Sequence, residues 1–103
     1  MSVLNLTTDN FEEATGKGKV LVDFWAAWCN PCRMVAPVIE QLAEEFNGTV
    51  TVAKVDIDSE SALAARFDVM SIPTVLILKD GVEVKRIVGA EPKETYVAEL
   101  NAC

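Results

Sequence analysis

The chain has 103 residues, half of them apolar, and a formal net charge of −7 at pH 7. This length and apolar content predict one domain over residues 1–103, with a core large enough to fold without a structural disulfide or a metal. The net charge is negative and the sequence has no cluster of basic residues, which argues against nucleic acid or an anionic membrane as a partner.

The start of the chain and its hydropathy carry no targeting signal. Residues 1–6 have neither the basic nor the apolar region of a signal peptide, and no run of about eighteen apolar residues occurs anywhere. The sequence therefore predicts a cytoplasmic protein that does not enter a membrane.

The first predicted elements lead to a buried acid. Val3–Leu6 is predicted as a short strand, and Asp9–Glu12 fits a capping box that starts a helix reaching about Ala14. Val20–Trp25 is apolar apart from Asp23, a pattern typical of a central strand covered on both faces. Asp23 is therefore predicted to be a buried carboxylate.

A long amphipathic helix is predicted over Pro31–Phe46. It ends at Asn47–Gly48, and Pro37 inside it removes one backbone hydrogen bond and is expected to kink it. The apolar positions that follow helical spacing, and are predicted to face inward, are Met34, Val35, Val38, Ile39, Leu42, Ala43 and Phe46.

The second half alternates strands and helices before it closes with a hairpin. Thr49–Ile57 is predicted as a strand, and Asp58 or Ser59 caps a helix that runs through Phe67. Such crossovers imply parallel strands. The remaining predicted elements are a hairpin of Thr74–Lys79 and Val82–Val88 that turns at Asp80–Gly81, and a last helix that opens at Pro92 with Tyr96, Val97 and Leu100 facing in.

The main chemical signal is a pair of thiols, Cys29 and Cys32, where the apolar strand meets the long helix. Backbone N–H groups at a helix N-terminus favour a thiolate, which is the reactive species in disulfide exchange. Cys29 precedes the helix and is predicted to be the more exposed, attacking thiol. Cys32 lies one turn inside the helix and is predicted to resolve the mixed disulfide.

A metal site is the alternative for two such cysteines. A closed site needs about four ligands, whereas the chain has no histidine and only one further cysteine, Cys103, at its far end. Only a site shared between two chains could hold a metal, so none is predicted. Cys103 is expected to be an inert free thiol, the other possibility being an intermolecular disulfide.

Asp23 admits a structural and a catalytic interpretation. It could be a core carboxylate tied to a donor such as Lys54 on the neighbouring strand. Burial in an apolar strand should also raise its pKa, so that it can relay the proton that Cys32 loses as it attacks. The catalytic interpretation is favoured. Lys54 is either a residue that tunes Asp23 or an outward-facing strand residue.

These features together resemble the thioredoxin family. The matching segments, which belong to a resemblance over essentially the whole chain, are Val22–Pro37, Ser71–Thr74 and Val88–Ala90. The resemblance implies an α/β thioredoxin fold, a five-stranded mixed sheet flanked by four helices, with the strand after Lys19 in the centre. It also implies a monomeric protein-disulfide reductase that works through a reversible Cys29–Cys32 disulfide, binds no cofactor, reduces disulfide-containing substrate proteins and is recharged by a thioredoxin reductase.

The resemblance also assigns site residues. In this family the bond before Pro73 is cis, packs beside the disulfide, presents the backbone of Ile72 to an extended substrate and excludes a metal. The family assigns the proton relay to the acid at Asp23. The expected docking rim around Cys29 consists of Trp28, Ile72, Pro73, Gly89 and Ala90, and the residues expected to tune the reduction potential are Asn30, Pro31 and Lys54.

Some residues depart from the common pattern of the family. Asn30 stands where glycine is most frequent, Ala27 replaces a frequent Glu or Pro, and Met70 and Ser71 replace an Arg-Gly or Arg-Ser pair. These departures leave open whether the potential suits a reductase, an oxidase or an isomerase. A non-catalytic subunit of a larger assembly is a different possibility, and it would keep its function without the thiols.

Overall fold

The computed structural model describes residues 3–103, so the expectations for Met1 and Ser2 lie outside the described residues. Within that range the elements, in chain order, are β1 Leu4–Asn5, α1 Phe11–Thr15, β2 Lys19–Trp25, α2 Asn30–Glu45, β3 Val50–Asp56, α3 Ser61–Arg66, β4 Thr74–Lys79, β5 Val82–Val88 and α4 Lys93–Ala102. Within residues 3–103, no helix combines the length and the hydropathy that a membrane span requires.

The five strands form one sheet in the order β1-β3-β2-β4-β5. β2 runs parallel to β3 and antiparallel to β4, as expected when a β-α crossover joins the first pair. The predicted mixed sheet with the strand after Lys19 in the centre is confirmed. In the parallel pair Asp23 lies directly beside Lys54, a relationship that matters for the site.

Side chains of β2 alternate between two cores, one on each face of the sheet. Val20, Val22 and Phe24 pack with α1 and α3, and none of them is exposed. Leu21 packs on the other face with residues of α2 and α4, including the fully buried Tyr96. Each such apolar side chain contributes about 1.5–3 kcal/mol on burial. This two-sided coverage explains the nearly unbroken apolar pattern of β2.

The predicted Asp-Gly hairpin joins β4 to β5. Asp80 and Gly81 have φ of 51° and 85°, and positive φ at both central residues is the condition for the type I′ turn that fits the twist of a hairpin. The Asp80 carboxylate also accepts a hydrogen bond from the Gly18 N–H at 2.8 Å. The turn is thereby tied to the start of β2.

The predicted capping box of α1 is wrong. The helix starts at Phe11, after Asn10, and Asp9 is not its N-cap. The Asn10 side chain accepts a hydrogen bond from the Thr7 N–H at 2.7 Å and donates one to the Asn5 carbonyl at 3.1 Å. It therefore stabilises the loop after β1 instead of the helix.

The predicted cap of α3 is also wrong. The helix starts at Ser61, after Glu60, and neither Asp58 nor Ser59 precedes it directly. The Glu60 carboxylate accepts a hydrogen bond from the Thr8 N–H at 3.0 Å. A contact between two loops, distant in sequence, thus replaces the local cap.

Met34 is a further correction, because its side chain is 73% exposed. The buried stripe of α2 consists of Cys32, Val35, Ile39, Leu42 and Ala43. Met34 is adjacent to Val35 in sequence and therefore about 100° away from it around the helix, outside the stripe. It adds apolar surface close to the start of α2.

Candidate active site

Cys29 and Cys32 form a disulfide at the N-terminus of α2, with their Cα atoms 5.3 Å apart. Cys29 is the N-cap residue, in an extended conformation, and the N–H of Cys32 donates a hydrogen bond to Cys29 Sγ at 3.2 Å. The first turn of α2 contains no acidic residue. The N–H groups at the start of α2 carry partial positive charge, and no carboxylate in this turn offsets it. They therefore favour a thiolate on Cys29 when the pair is reduced.

The difference in exposure between the two cysteines is smaller than predicted. Cys29 is 5% exposed and Cys32 is 2% exposed, so both residues are buried. Cys29 therefore differs from Cys32 through its position at the helix cap and its hydrogen bond more than through access to solvent. The two residues pack with Ala26 in a small apolar cluster that Trp25, Ile57 and Ile72 border.

Asp23 is buried as predicted, with 3% of its surface exposed. Burial raises the pKa of its carboxyl from the ordinary value of 3.8 to about 7, and the positive charge of Lys54 lowers it in part. Within residues 3–103 no group hydrogen-bonds to Asp23 Oδ1. This oxygen is therefore buried without a donor among the described residues, while Lys54 acts on the carboxylate through its charge.

A cavity of about 120 Å³ connects Asp23 with Cys32, and Trp25, Glu40 and Lys54 also line it. One water needs roughly 15 Å³ of such space, so water can enter. The Asp23 carboxyl, with its raised pKa, thus lines the same cavity as Cys32. Water in this cavity can therefore reach both side chains.

Lys54 does not face outward. Val50 and Val52, which point to the same side of β3 as Lys54, are buried on the face of the sheet that α2 and α4 cover. Lys54 lies on this face, directly beside Asp23 of β2. Its ammonium lies 5.4 Å from the centroid of the Trp25 ring, a cation–π contact that restrains it. The sequence carries no signal for this contact between two neighbouring strands.

Ile72 and Pro73 lie beside the disulfide, and the peptide bond between them is cis. The carbonyl oxygen of Ile72 is 3.8 Å from Cys29 Sγ. The N–H of Gly89 donates a hydrogen bond to the Pro73 carbonyl at 2.8 Å, which joins the end of β5 to this loop. The structure therefore brings together three segments that are far apart in sequence, as the resemblance implied.

The remaining predicted site residues lie at the surface. Trp28 is 66% exposed, and its indole N–H donates a hydrogen bond to the Asp58 carboxylate at 2.9 Å. Asn30, Pro31 and Ala90 are exposed. Asp58, predicted as a helix cap, is thus a partner of Trp28, a role for which the sequence carries no signal.

A sheet of this topology, with a disulfide between two cysteines three residues apart at a helix N-terminus, defines a thiol–disulfide oxidoreductase. The family model named thioredoxin matches residues 2–102. The chain is 46% identical to a thioredoxin of Staphylococcus haemolyticus, over 98% of this chain and 97% of the relative, and 47% identical to a thioredoxin of Staphylococcus saprophyticus, over 91% and 90%. The chain belongs to the thioredoxin family.

A solved structure agrees with this assignment. The crystal structure of a thioredoxin from Malassezia sympodialis superposes with a TM-score of 0.89 at 34% identity, and the match covers 97% of this chain and 90% of that one. The expected fold and the expected activity are confirmed. The protein is a protein-disulfide reductase that uses the Cys29–Cys32 pair.

Proposed function

We propose that Cys29 is the nucleophile of this reductase, that Cys32 is the resolving thiol and that Asp23 is the acid–base residue. The observation that carries the proposal is the hydrogen bond from the Cys32 N–H to Cys29 Sγ at the start of α2, next to the cavity that Cys32 shares with Asp23. This arrangement supports a thiolate on Cys29 and a proton acceptor for Cys32.

The proposed cycle starts from the dithiol. The Cys29 thiolate attacks one sulfur of a substrate disulfide, the substrate S–S bond breaks, and the first substrate thiolate leaves and takes a proton from water. Cys32 then gives its proton to the Asp23 carboxylate and attacks Cys29 Sγ. The second substrate thiolate leaves, so two electrons have passed to the substrate and Cys29–Cys32 is oxidised.

Asp23 suits this role because its pKa of about 7 leaves both forms populated at neutral pH. The ionised form accepts the proton of Cys32, and the cavity allows the proton to reach solvent before the next turnover. Lys54 favours the ionised form through its positive charge. We therefore assign Lys54, together with Asn30 and Pro31 between the cysteines, to tuning the potential.

The surface around Cys29 is proposed as the docking site for extended substrate segments. It offers apolar contacts together with the backbone of Ile72, whose carbonyl lies 3.8 Å from Cys29 Sγ. Its proposed members are Trp28, Ile72, Pro73, Gly89 and Ala90.

A thioredoxin reductase is the proposed electron donor, since members of this family are recharged in that way. We further propose that residues 1–103 act as one monomeric domain that carries electrons in the cytoplasm, without a bound cofactor, metal, nucleic acid or membrane. The absence of a basic cluster in the sequence supports the exclusion of nucleic acid.

Reduction of insulin disulfides, with a thioredoxin reductase as donor, tests this function. The wild type should turn over many insulin disulfides per molecule, whereas Cys29→Ser should show none. A Cys103→Ser variant is the matched control and should keep wild-type turnover, because Cys103 lies far from the pair along the chain and outside the disulfide. Equal turnover of the Cys29→Ser variant would show that Cys29 is not the nucleophile, and a wild type that reduces no insulin would favour a non-catalytic subunit.

A further inference from the structure

The segment between α3 and β4 begins with a tight helix end. The Asp68 N–H donates to the Ala65 carbonyl at 3.1 Å, the Val69 N–H donates to the Ala64 carbonyl at 2.9 Å, and Asp68 has a φ of 53°. This is the hydrogen-bond pattern of a Schellman motif, here with an aspartate at the position that usually holds glycine. The motif leaves the carbonyls of Phe67 and Asp68 without a helical partner.

Arg86 of β5 donates a hydrogen bond to each of these two carbonyls. Its Nη2 donates to the Phe67 carbonyl at 2.6 Å and its Nη1 donates to the Asp68 carbonyl at 3.3 Å. The same guanidinium forms two hydrogen bonds with the Glu83 carboxylate, at 2.8 and 2.9 Å. Glu83 therefore fixes the orientation of the Arg86 guanidinium. Because this group is planar and has N–H donors along several edges, it can bond to the Glu83 carboxylate and to the two carbonyls at the same time.

The other end of the segment is also attached to β5. The Gly89 N–H holds the Pro73 carbonyl at 2.8 Å, and the Thr74 hydroxyl donates to the Ser71 carbonyl at 2.6 Å. Ile72 lies between these attachments, with its carbonyl 3.8 Å from Cys29 Sγ. Arg86 of β5 and Gly89, the residue that follows this strand, thus hold the segment from Phe67 to Pro73 at its two ends.

We propose that Arg86 is a positioning residue for substrate binding, because it fixes the start of the 67–73 segment and thereby the place of Ile72 beside Cys29. The proposal rests on the proposed docking of extended substrates at Ile72. Arg86 touches no reacting atom, so its loss should weaken the capture of a protein substrate and leave the thiol chemistry intact. A displacement of a docking group by an ångström is enough to lower the efficiency of a bound complex severalfold.

Arg86→Met tests the proposal, because methionine keeps an apolar stem and removes the fork. Lys85→Met is the matched control, since it removes a cation from the adjacent residue of the same strand, where Lys85 pairs with Glu99 of α4 at 3.4 Å. We expect Arg86→Met to raise the KM for insulin about fivefold with kcat within about twofold of wild type. Lys85→Met should change neither, and Arg86→Lys should give an intermediate KM, because an ammonium lacks the fork.

Amide hydrogen exchange provides a second readout that needs no substrate. Exchange at Asp68 and Val69 should become about tenfold faster in Arg86→Met and stay unchanged in Lys85→Met, because local opening becomes easier when the carbonyls lose their partner. Unchanged exchange, or an unchanged KM in an active Arg86→Met protein, overturns the proposal. A wild type that fails to reduce insulin defeats the proposed function instead, while exchange still decides whether Arg86 holds the segment.

Discussion

The Asp23 carboxyl and the Cys32 side chain line the same cavity beside the first turn of α2. In the proposed cycle Cys32 must lose a proton to resolve the mixed disulfide, and the Asp23 carboxyl has a pKa of about 7. Their shared cavity supports the proposal that a buried acid in the central strand accepts the Cys32 proton in the second half of the cycle.

Asp23→Asn is expected to stabilise the folded protein in a pH-dependent way. The pKa of the carboxyl is raised from 3.8 to about 7 on folding, so wild type loses stability as the pH rises through this window. At ~1.4 kcal/mol per pH unit the loss reaches about 4 kcal/mol above the window. Denaturant unfolding of both proteins should give similar stability at pH 3.5, roughly the ordinary pKa of the acid, and an increasing advantage for the variant toward neutral pH. A difference that does not vary with pH would contradict the burial of an ionisable acid.

Lys54→Met is expected to slow the resolving step at neutral pH. The charge of Lys54 lowers the pKa of Asp23, so its removal raises that pKa further and leaves less carboxylate to accept the Cys32 proton. The pH midpoint for substrate release, followed by rapid quench, should move to higher pH. Lys85→Met has the same change of charge on the remote strand β5 and should leave the midpoint in place. An unshifted midpoint in Lys54→Met would remove Lys54 from the tuning of Asp23.

The sequence predicts the parts of this molecule that local chemistry determines. The apolar run of β2 is buried on both faces, the Asp80–Gly81 pair forms the expected turn, and the cysteine pair lies at the start of α2 as its flanking residues indicate. In each case the pattern and the structure depend on neighbours in sequence.

Contacts between distant segments account for what the sequence analysis missed. Glu60 bonds to the loop that carries Thr8, Asp58 accepts from Trp28, and Arg86 reaches the end of α3. None of these side chains carries a local signal for its distant partner. The orientation of Lys54 toward Asp23 likewise follows from strand register, which a single strand pattern does not fix.

Asn30→Gly is expected to lower the reduction potential by on the order of 30 mV, equivalent to ~1.4 kcal/mol for two electrons. Asn30 is the first residue of α2 and its side chain is exposed next to Cys29. In the reduced protein its amide can donate to the Cys29 thiolate, an interaction worth ~1.5–3 kcal/mol if fully formed, against ~0.4–1 kcal/mol for the extra freedom of glycine. Loss of the amide therefore favours the disulfide.

Equilibration against a redox buffer measures this potential. Asn47→Gly, the same substitution just beyond the opposite end of α2, is the matched control and should leave the potential unchanged. An equal or higher potential in Asn30→Gly would mean that the amide does not serve the thiolate.

Trapping the mixed disulfide is the most direct test of the proposed roles of Cys29 as nucleophile and Cys32 as resolving thiol. Cys32→Ser, reduced and then mixed with insulin, should accumulate a covalent adduct, because the attacking thiol remains and the resolving thiol is gone. Peptide mapping of the adduct should place the substrate sulfur on Cys29, while Cys29→Ser treated in the same way should give no adduct at Cys32. The account would be contradicted by an adduct on Cys32 in the Cys29→Ser variant. It would also be contradicted if the Cys32→Ser variant gave no adduct, or gave one on Cys103 instead of Cys29.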